Sequence, residues 1–176
     1  GVSSHLLFWG IEKDKILEMD WWEEIVLDGM KIICTPSMHS SGRSLIQKKT
    51  LWASWTILKN DKRIFFSGDS GYCDHFKKIG EKYGPFDIGF IENGQYSKFW
   101  QQNHMLPNQS IQSAIDLGLK IIQPIHFGVF NLSLHLWNEP IIKLLKLSQE
   151  KNVKLYHPMM GENVNLSENK EFSIWW

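Results

Sequence analysis

Three apolar runs in this chain each end on a side chain that binds metal ions. Ile32-Ile33-Cys34-Thr35-Pro36 leads to His39, Ile64-Phe65-Phe66-Ser67-Gly68 leads to Asp69, and Ile121-Ile122-Gln123-Pro124-Ile125 leads to His126. Short runs rich in Ile and Phe and bounded by Gly or Pro predict buried strands. A polar residue just past such a strand sits at the rim of the sheet, where α/β proteins hold their ligands. Two imidazoles and a carboxylate at three rims suggest one shared metal site.

The rest of the chain supports a layered α/β fold. Glu18 to Leu27 and Met30 to Pro36 predict a hairpin closed by Asp28-Gly29, a pair suited to a two-residue turn. Leu51 to Leu58 and Arg63 to Ser67 predict a second hairpin. Alternating helices and strands follow: helices at 74–83, 107–117 and 139–150, and strands at 86–92 and 121–125. Lys154 to Tyr156 and Ile174 to Trp176 suggest short closing strands, while the opening Gly1-Val2-Ser3-Ser4-His5-Leu6 carries no strand or cap signal. Helices covering a mixed sheet in a single domain over 1–176 is the architecture this order favours.

Composition excludes several classes. Nineteen basic and 19 acidic residues give a formal net charge of zero, without the basic stripe of a nucleic-acid binder. No run approaches the ~18 apolar residues of a spanning helix, and the start lacks a signal-peptide pattern. Two cysteines cannot build a disulfide framework. A reducing, cytoplasmic setting is the expectation. Cys34 reads as a small core residue, and Cys73 has no base apparent near it in sequence, which argues against a cysteine nucleophile.

His39, Asp69 and His126 lie 30 and 57 residues apart, so only the fold can unite them. Taken singly, each has an ordinary reading: a lone His as a surface or core residue, Gly-Asp as a turn. Gly68 and Gly71 would let the backbone turn and present Asp69. His104, just before Met105-Leu106-Pro107, is a candidate contact for substrate or for a ligand. His135 reads as packing or support; His5, His75 and His157 read as structural or solvated.

These residues also resemble a known family. Pro36-Ser37-Met38-His39-Ser40-Ser41-Gly42-Arg43 is similar to a zinc-histidine loop of the metallo-β-lactamase superfamily, in the branch around N-acyl-phosphatidylethanolamine-hydrolysing phospholipase D. Phe65-Phe66-Ser67-Gly68-Asp69-Ser70-Gly71-Tyr72 resembles that branch's metal-bridging aspartate loop. Ile79-Gly80, Tyr83-Gly84-Pro85-Phe86-Asp87, Pro124-Ile125-His126-Phe127-Gly128-Val129-Phe130, His135 and Glu139-Pro140 follow in order. The resemblance implies an αββα sandwich with two zinc ions at the sheet edges. His39 would bind the first zinc, Asp69 would bridge, His126 would bind the second, and His104 would lie near a substrate phosphate.

One departure carries a consequence. The family's His-x-His-x-Asp-His motif, which supplies four ligands, is absent from this chain, and Val2 to Gly10 resembles the segment after it. Asn108-Gln109 replaces an acidic pair often found there. Each metal is left two protein ligands here, against the three a catalytic zinc site normally has. The expectation is therefore a domain incomplete at its N-terminus, with weak or absent zinc binding and little activity. Its parent would be a zinc-dependent phosphodiesterase or phospholipase-D-like hydrolase acting on a small or lipid-like molecule, with peripheral membrane contact admitted. Uncovered apolar sheet surface would drive self-association. The alternative is a metal-free remnant or interaction module.

Overall fold

The computed structural model describes residues 1–42, 48–168 and 170–176. Arg43, the last residue of the His39 motif, lies outside the described residues. Six strands form one sheet in simple chain order: β1 Glu24–Leu27, β2 Met30–Pro36, β3 Ala53–Lys59, β4 Lys62–Phe66, β5 Ile88–Glu92 and β6 Ile122–Ile125. The first four pair antiparallel; β5 and β6 join parallel. The helices are α1 Ser3–Phe8, α2 His75–Tyr83, α3 Pro107–Leu117 and α4 Glu139–Glu150.

Turn chemistry sets the antiparallel half. Asp28 and Gly29 both take positive φ, 50° and 73°, as a two-residue hairpin turn of this twist requires. The second hairpin is equally tight: Lys59 pairs with Lys62, so only Asn60 and Asp61 turn. The parallel half needs crossovers, supplied by α2 between β4 and β5 and by α3 between β5 and β6.

Strand register decides which side chains face the helices. Ile33, Thr56, Phe65, Gly89 and Ile122 align across five strands. Ile33, Phe65 and Ile122 of that row are buried against Phe76 and Ile79 of α2, Ile111 and Leu117 of α3 and Leu144 of α4. Phe65 meets Phe76 edge-on at 6.2 Å and Phe86 tilted at 5.6 Å.

The other face carries an isoleucine ladder. Ile25, Ile32, Ile57, Ile64 and Ile88 stand in register across five strands. Ile88 is buried by a satellite cluster in which Tyr156, Val164 and Phe172 of the C-terminal segment take part. The remaining four are half-buried, and Phe66 is 40% exposed. An apolar sheet face of this kind is what the inner side of a two-sheet sandwich presents.

Three expectations change. The first strand begins at Glu24 rather than Glu18, because Trp22 adopts φ 74° and breaks the extended run. Ser3–Phe8 is helical although it lacks a capping side chain, and no residue in it is buried. Of the closing strands, Leu155 makes an isolated parallel bridge to Ile122, while residues 174–176 join no strand. Trp175 and Trp176 pack instead around His157 and Phe127.

Candidate functional site

β2, β4, β5 and β6 all point their carboxyl ends toward one rim, and the loops beyond them carry the candidate residues. At Gly68 the chain leaves β4 with φ 57°, and a Cβ there would press on the Ala53 carbonyl at 2.8 Å. Only glycine suits that position, and it delivers Asp69 to the rim. Gly94, just after β5, has the carbonyl of His126 where a Cβ would go, so the β5 and β6 loops approach closely.

The loops are laced together. Ser70 Oγ accepts the Met38 amide at 2.9 Å, and the Gly71 amide donates to the Met38 carbonyl at 2.7 Å. The His39 loop and the Asp69 loop therefore hold one another. Asn103 reaches across to Ser40 Oγ at 3.3 Å.

Three imidazoles meet at this rim. The His104 ring lies 5.4 Å from that of His39, edge-on, and 5.1 Å from that of His126, stacked at 16°. His126 Nδ1 stands 3.7 Å from Asp69 Oδ1. His126 takes φ 65°, an uncommon backbone state for a residue with a Cβ, of the kind that clusters at functional sites.

Hydrogen bonds decide which ring nitrogens are free. His39 Nδ1 faces the Ser40 carbonyl at 2.7 Å, and a carbonyl can only accept. Nδ1 thus carries the proton and Nε2 keeps a lone pair, the arrangement a metal-ligating imidazole uses. The His126 Nε2 is buried and finds no partner among the described residues. An orphaned buried nitrogen of this type fits a role as ligand.

Glu92 is the residue that sequence reading missed. It ends β5 and is fully buried, as its neighbour Asn93 is. Its carboxylate accepts His104 Nδ1 at 3.2 Å, the Met105 amide at 2.9 Å and the Gly94 amide at 3.1 Å. Burial pushes this carboxyl above its ordinary range, with the bonds from His104, Met105 and Gly94 pulling the other way. Glu92 therefore fixes the His104 ring with Nδ1 inward. The rule that picked out three strand ends applied to Ile91-Glu92 as well.

Other candidates fall elsewhere. His135 packs on Tyr96 at 4.4 Å. His75 is buried and bonded within its own loop, Sγ of Cys73 lying 2.9 Å from its Nδ1. That corrects the expectation that Cys73 has no nearby base: the base is two residues along. Gln109 caps α3, its Oε1 accepting the Leu106 amide at 2.9 Å, so the loss of an acidic pair there leaves the helix start intact.

Comparison with known proteins agrees with this fold. The family model described as the beta-lactamase superfamily domain matches residues 2–127, spanning every strand of the sheet and the whole rim. The chain belongs to the metallo-β-lactamase superfamily. An uncharacterized protein of Mycobacterium tuberculosis is 35% identical over 179 residues, covering 100% of this chain and 48% of the relative. The mitochondrial N-acyl-phosphatidylethanolamine-hydrolyzing phospholipase D of Saccharomyces cerevisiae is 34% identical over 174 residues, covering 92% of this chain and 37% of the relative. The chain thus spans about half the length, or less, of these curated relatives. Among solved structures, Igni18, a metallo hydrolase from the archaeon Ignicoccus hospitalis, superimposes with a TM-score of 0.69 at 21% identity, covering 91% of this chain and 65% of that one. That likeness concerns the fold.

The family implies metal. The donor chemistry at the rim suits it: two imidazoles, one with a defined free nitrogen and one orphaned, beside a carboxylate. The donor number is smaller than a complete site needs. Among the described residues, no three His, Cys, Asp or Glu side chains are grouped to hold one ion. No helix among the described residues is long and apolar enough to cross a membrane.

Proposed function

We propose that this chain carries one half of a dinuclear zinc site belonging to a phosphodiester hydrolase. The observation that supports it is the convergence of His39, Asp69, His104 and His126 from four separate loops onto one sheet rim. His39 and Asp69 would serve one metal, and Asp69 and His126 the other. When bound, the metals would supply Lewis-acid stabilisation of charge on phosphoryl oxygens.

His104 is assigned to the substrate. Its Nδ1 is committed to Glu92, so Nε2 is the nitrogen turned toward the reacting group, placed to hold a phosphoryl oxygen or pass a proton to a leaving oxygen. A lipid-like substrate is favoured by the phospholipase activity for which the yeast relative is named and by the loop after His126. There Val129, Phe130, Leu132, Leu134 and Leu136 are all exposed, Leu134 at 93%. The same exposed apolar loop supports peripheral contact with a lipid surface as part of this proposal.

Two donors per metal make for weak zinc binding and little hydrolysis by this chain alone. The isoleucine ladder supports the companion proposal, association with a second copy. The chain exposes 10977 Å², against about 9,000 Å² for a compact monomer of this size. The difference, about 2,000 Å² on one chain, is more than the roughly 800 Å² per partner that a standard protein–protein interface covers.

Metal content per chain, measured by plasma mass spectrometry after dialysis against zinc, tests the reading. The expected result is less than one zinc per chain, abolished by His126→Ala. Two tightly held zinc ions per chain would overturn the half-site assignment. None at any concentration would favour a remnant without metal.

A further inference from the structure

One cluster of nucleophilic and basic groups is untouched by the proposed hydrolase chemistry. It sits in the segment from the Asp69 loop into α2. Cys73 Sγ lies 2.9 Å from His75 Nδ1, and His75 Nε2 lies 3.4 Å from Ser70 Oγ. His75 and Ser70 are buried, while Cys73 is half-exposed. We propose that Cys73, His75 and Ser70 form a nucleophilic thiol site whose substrates are soft carbon electrophiles.

The hydrogen-bond inventory assigns each role. A hydroxyl has one proton to give and two lone pairs. Ser70 donates its proton to the Gly71 carbonyl at 2.7 Å, and one lone pair takes the Met38 amide at 2.9 Å. Only its second lone pair is left for His75, so His75 Nε2 is the donor. The neutral imidazole then has its lone pair on Nδ1, directed at the Cys73 thiol. Nucleophile, base and a third group orienting the base are the parts of an activated nucleophile.

Burial pushes the His75 imidazole down to about 4, Asp74 opposing, so near pH 7 the ring is neutral and a weaker base than a free imidazole. It is the 2.9 Å contact that lines its Nδ1 lone pair up with the thiol proton. The other cysteine is a built-in control: burial, and secondarily Asp20 and Glu23, push the Cys34 thiol up to about 11. Attack by Cys73 forms an Sγ–C bond as the carbon–leaving-group bond breaks. The leaving group departs with that electron pair, and the thiol proton passes to His75 Nδ1 and then to solvent.

The site also touches the candidate metal loops. Ser70 ties Met38, beside His39, to the Asp69 loop. An adduct that pulls His75 off Ser70 would disturb both. The thiol chemistry itself needs no metal, so its test stands apart from the zinc measurement.

The test is alkylation of the whole chain by iodoacetamide at pH 7, without zinc, followed by peptide mass spectrometry and normalised to glutathione in the same solution. Folded protein should be alkylated at Cys73 at least about tenfold faster than at Cys34, and faster than at Cys73 of the same chain unfolded in urea. His75→Gln should slow Cys73 by about tenfold or more, and Ser70→Ala should slow it severalfold. A folded Cys73 no faster than the unfolded one would overturn the proposal, and that comparison needs no variant to fold. So would a folded His75→Gln protein that reacts at the wild-type rate.

Discussion

Glu92→Gln isolates the cost of keeping a carboxyl under the sheet rim. In the unfolded chain Glu92 titrates near its ordinary value of about 4.3. In the folded protein burial holds it higher. The folded state therefore keeps this proton to a higher pH than the unfolded state does. As pH rises past about 4.3, the unfolded chain loses the proton first and is favoured by doing so. The contribution of Glu92 to stability is present below that pH and is lost as pH climbs through the folded value. The slope in that window reaches at most about 1.4 kcal/mol per pH unit. Glutamine has no proton to lose and keeps one acceptor oxygen, so the variant lacks this slope.

Urea unfolding followed by tryptophan fluorescence, at intervals from pH 4 to 7, reads the effect for both proteins. The stability of the variant minus that of wild type should rise with pH. Glu24, Asp87, Glu139 and Glu162 are held below their ordinary values by bonds to Lys31, Lys120, Lys143 and Lys170, and tilt both proteins the opposite way. None of them is bonded to Glu92, whose carboxyl meets His104, Met105 and Gly94, and they cancel in the difference. A difference flat to within about 0.5 kcal/mol, or falling with pH, would refute the reasoning.

Two further outcomes follow from the packing. Phe65→Ala removes a fully buried ring between Phe76 and Phe86 and should cost about 3–5 kcal/mol, seen as a lower urea midpoint; a loss under about 1 kcal/mol would mean that the core is not centred on that row. The chain should also run as a dimer or larger species in light scattering at high concentration, and Ile57→Lys, in the middle of the ladder, should shift it to monomer with helical content retained. A monodisperse wild-type monomer would count against association through that face.

Much of the fold was legible in the order of residues because its causes are local. Asp28-Gly29 closes a tight turn by backbone preference alone, and the Phe76, Ile79, Tyr83 spacing makes one apolar helix face wherever that helix is placed. Apolar runs ending on His39, Asp69 and His126 marked a rim before any strand was ordered, since a strand's end is a local property. The late start of the strand expected over Glu18 to Leu27 and the helix at Ser3–Phe8 went the other way. Trp22 takes a backbone state that its residue type disfavours, and α1 starts without a capping side chain; neither leaves a mark in composition.

Distance in space is the other matter. That the His104 ring stands between those of His39 and His126, that Glu92 rather than solvent holds its Nδ1, and that five isoleucines from five strands align on one face are consequences of register between segments far apart in the chain. Even the Cys73–His75 contact, two residues apart, depends on the turn into α2 folding the imidazole back between the thiol and Ser70. Residue types determine which groups can bind metal, carry protons or attack. Their meeting depends on tertiary packing, because hydrogen-bond partners and burial are set by neighbours that sequence separation does not encode.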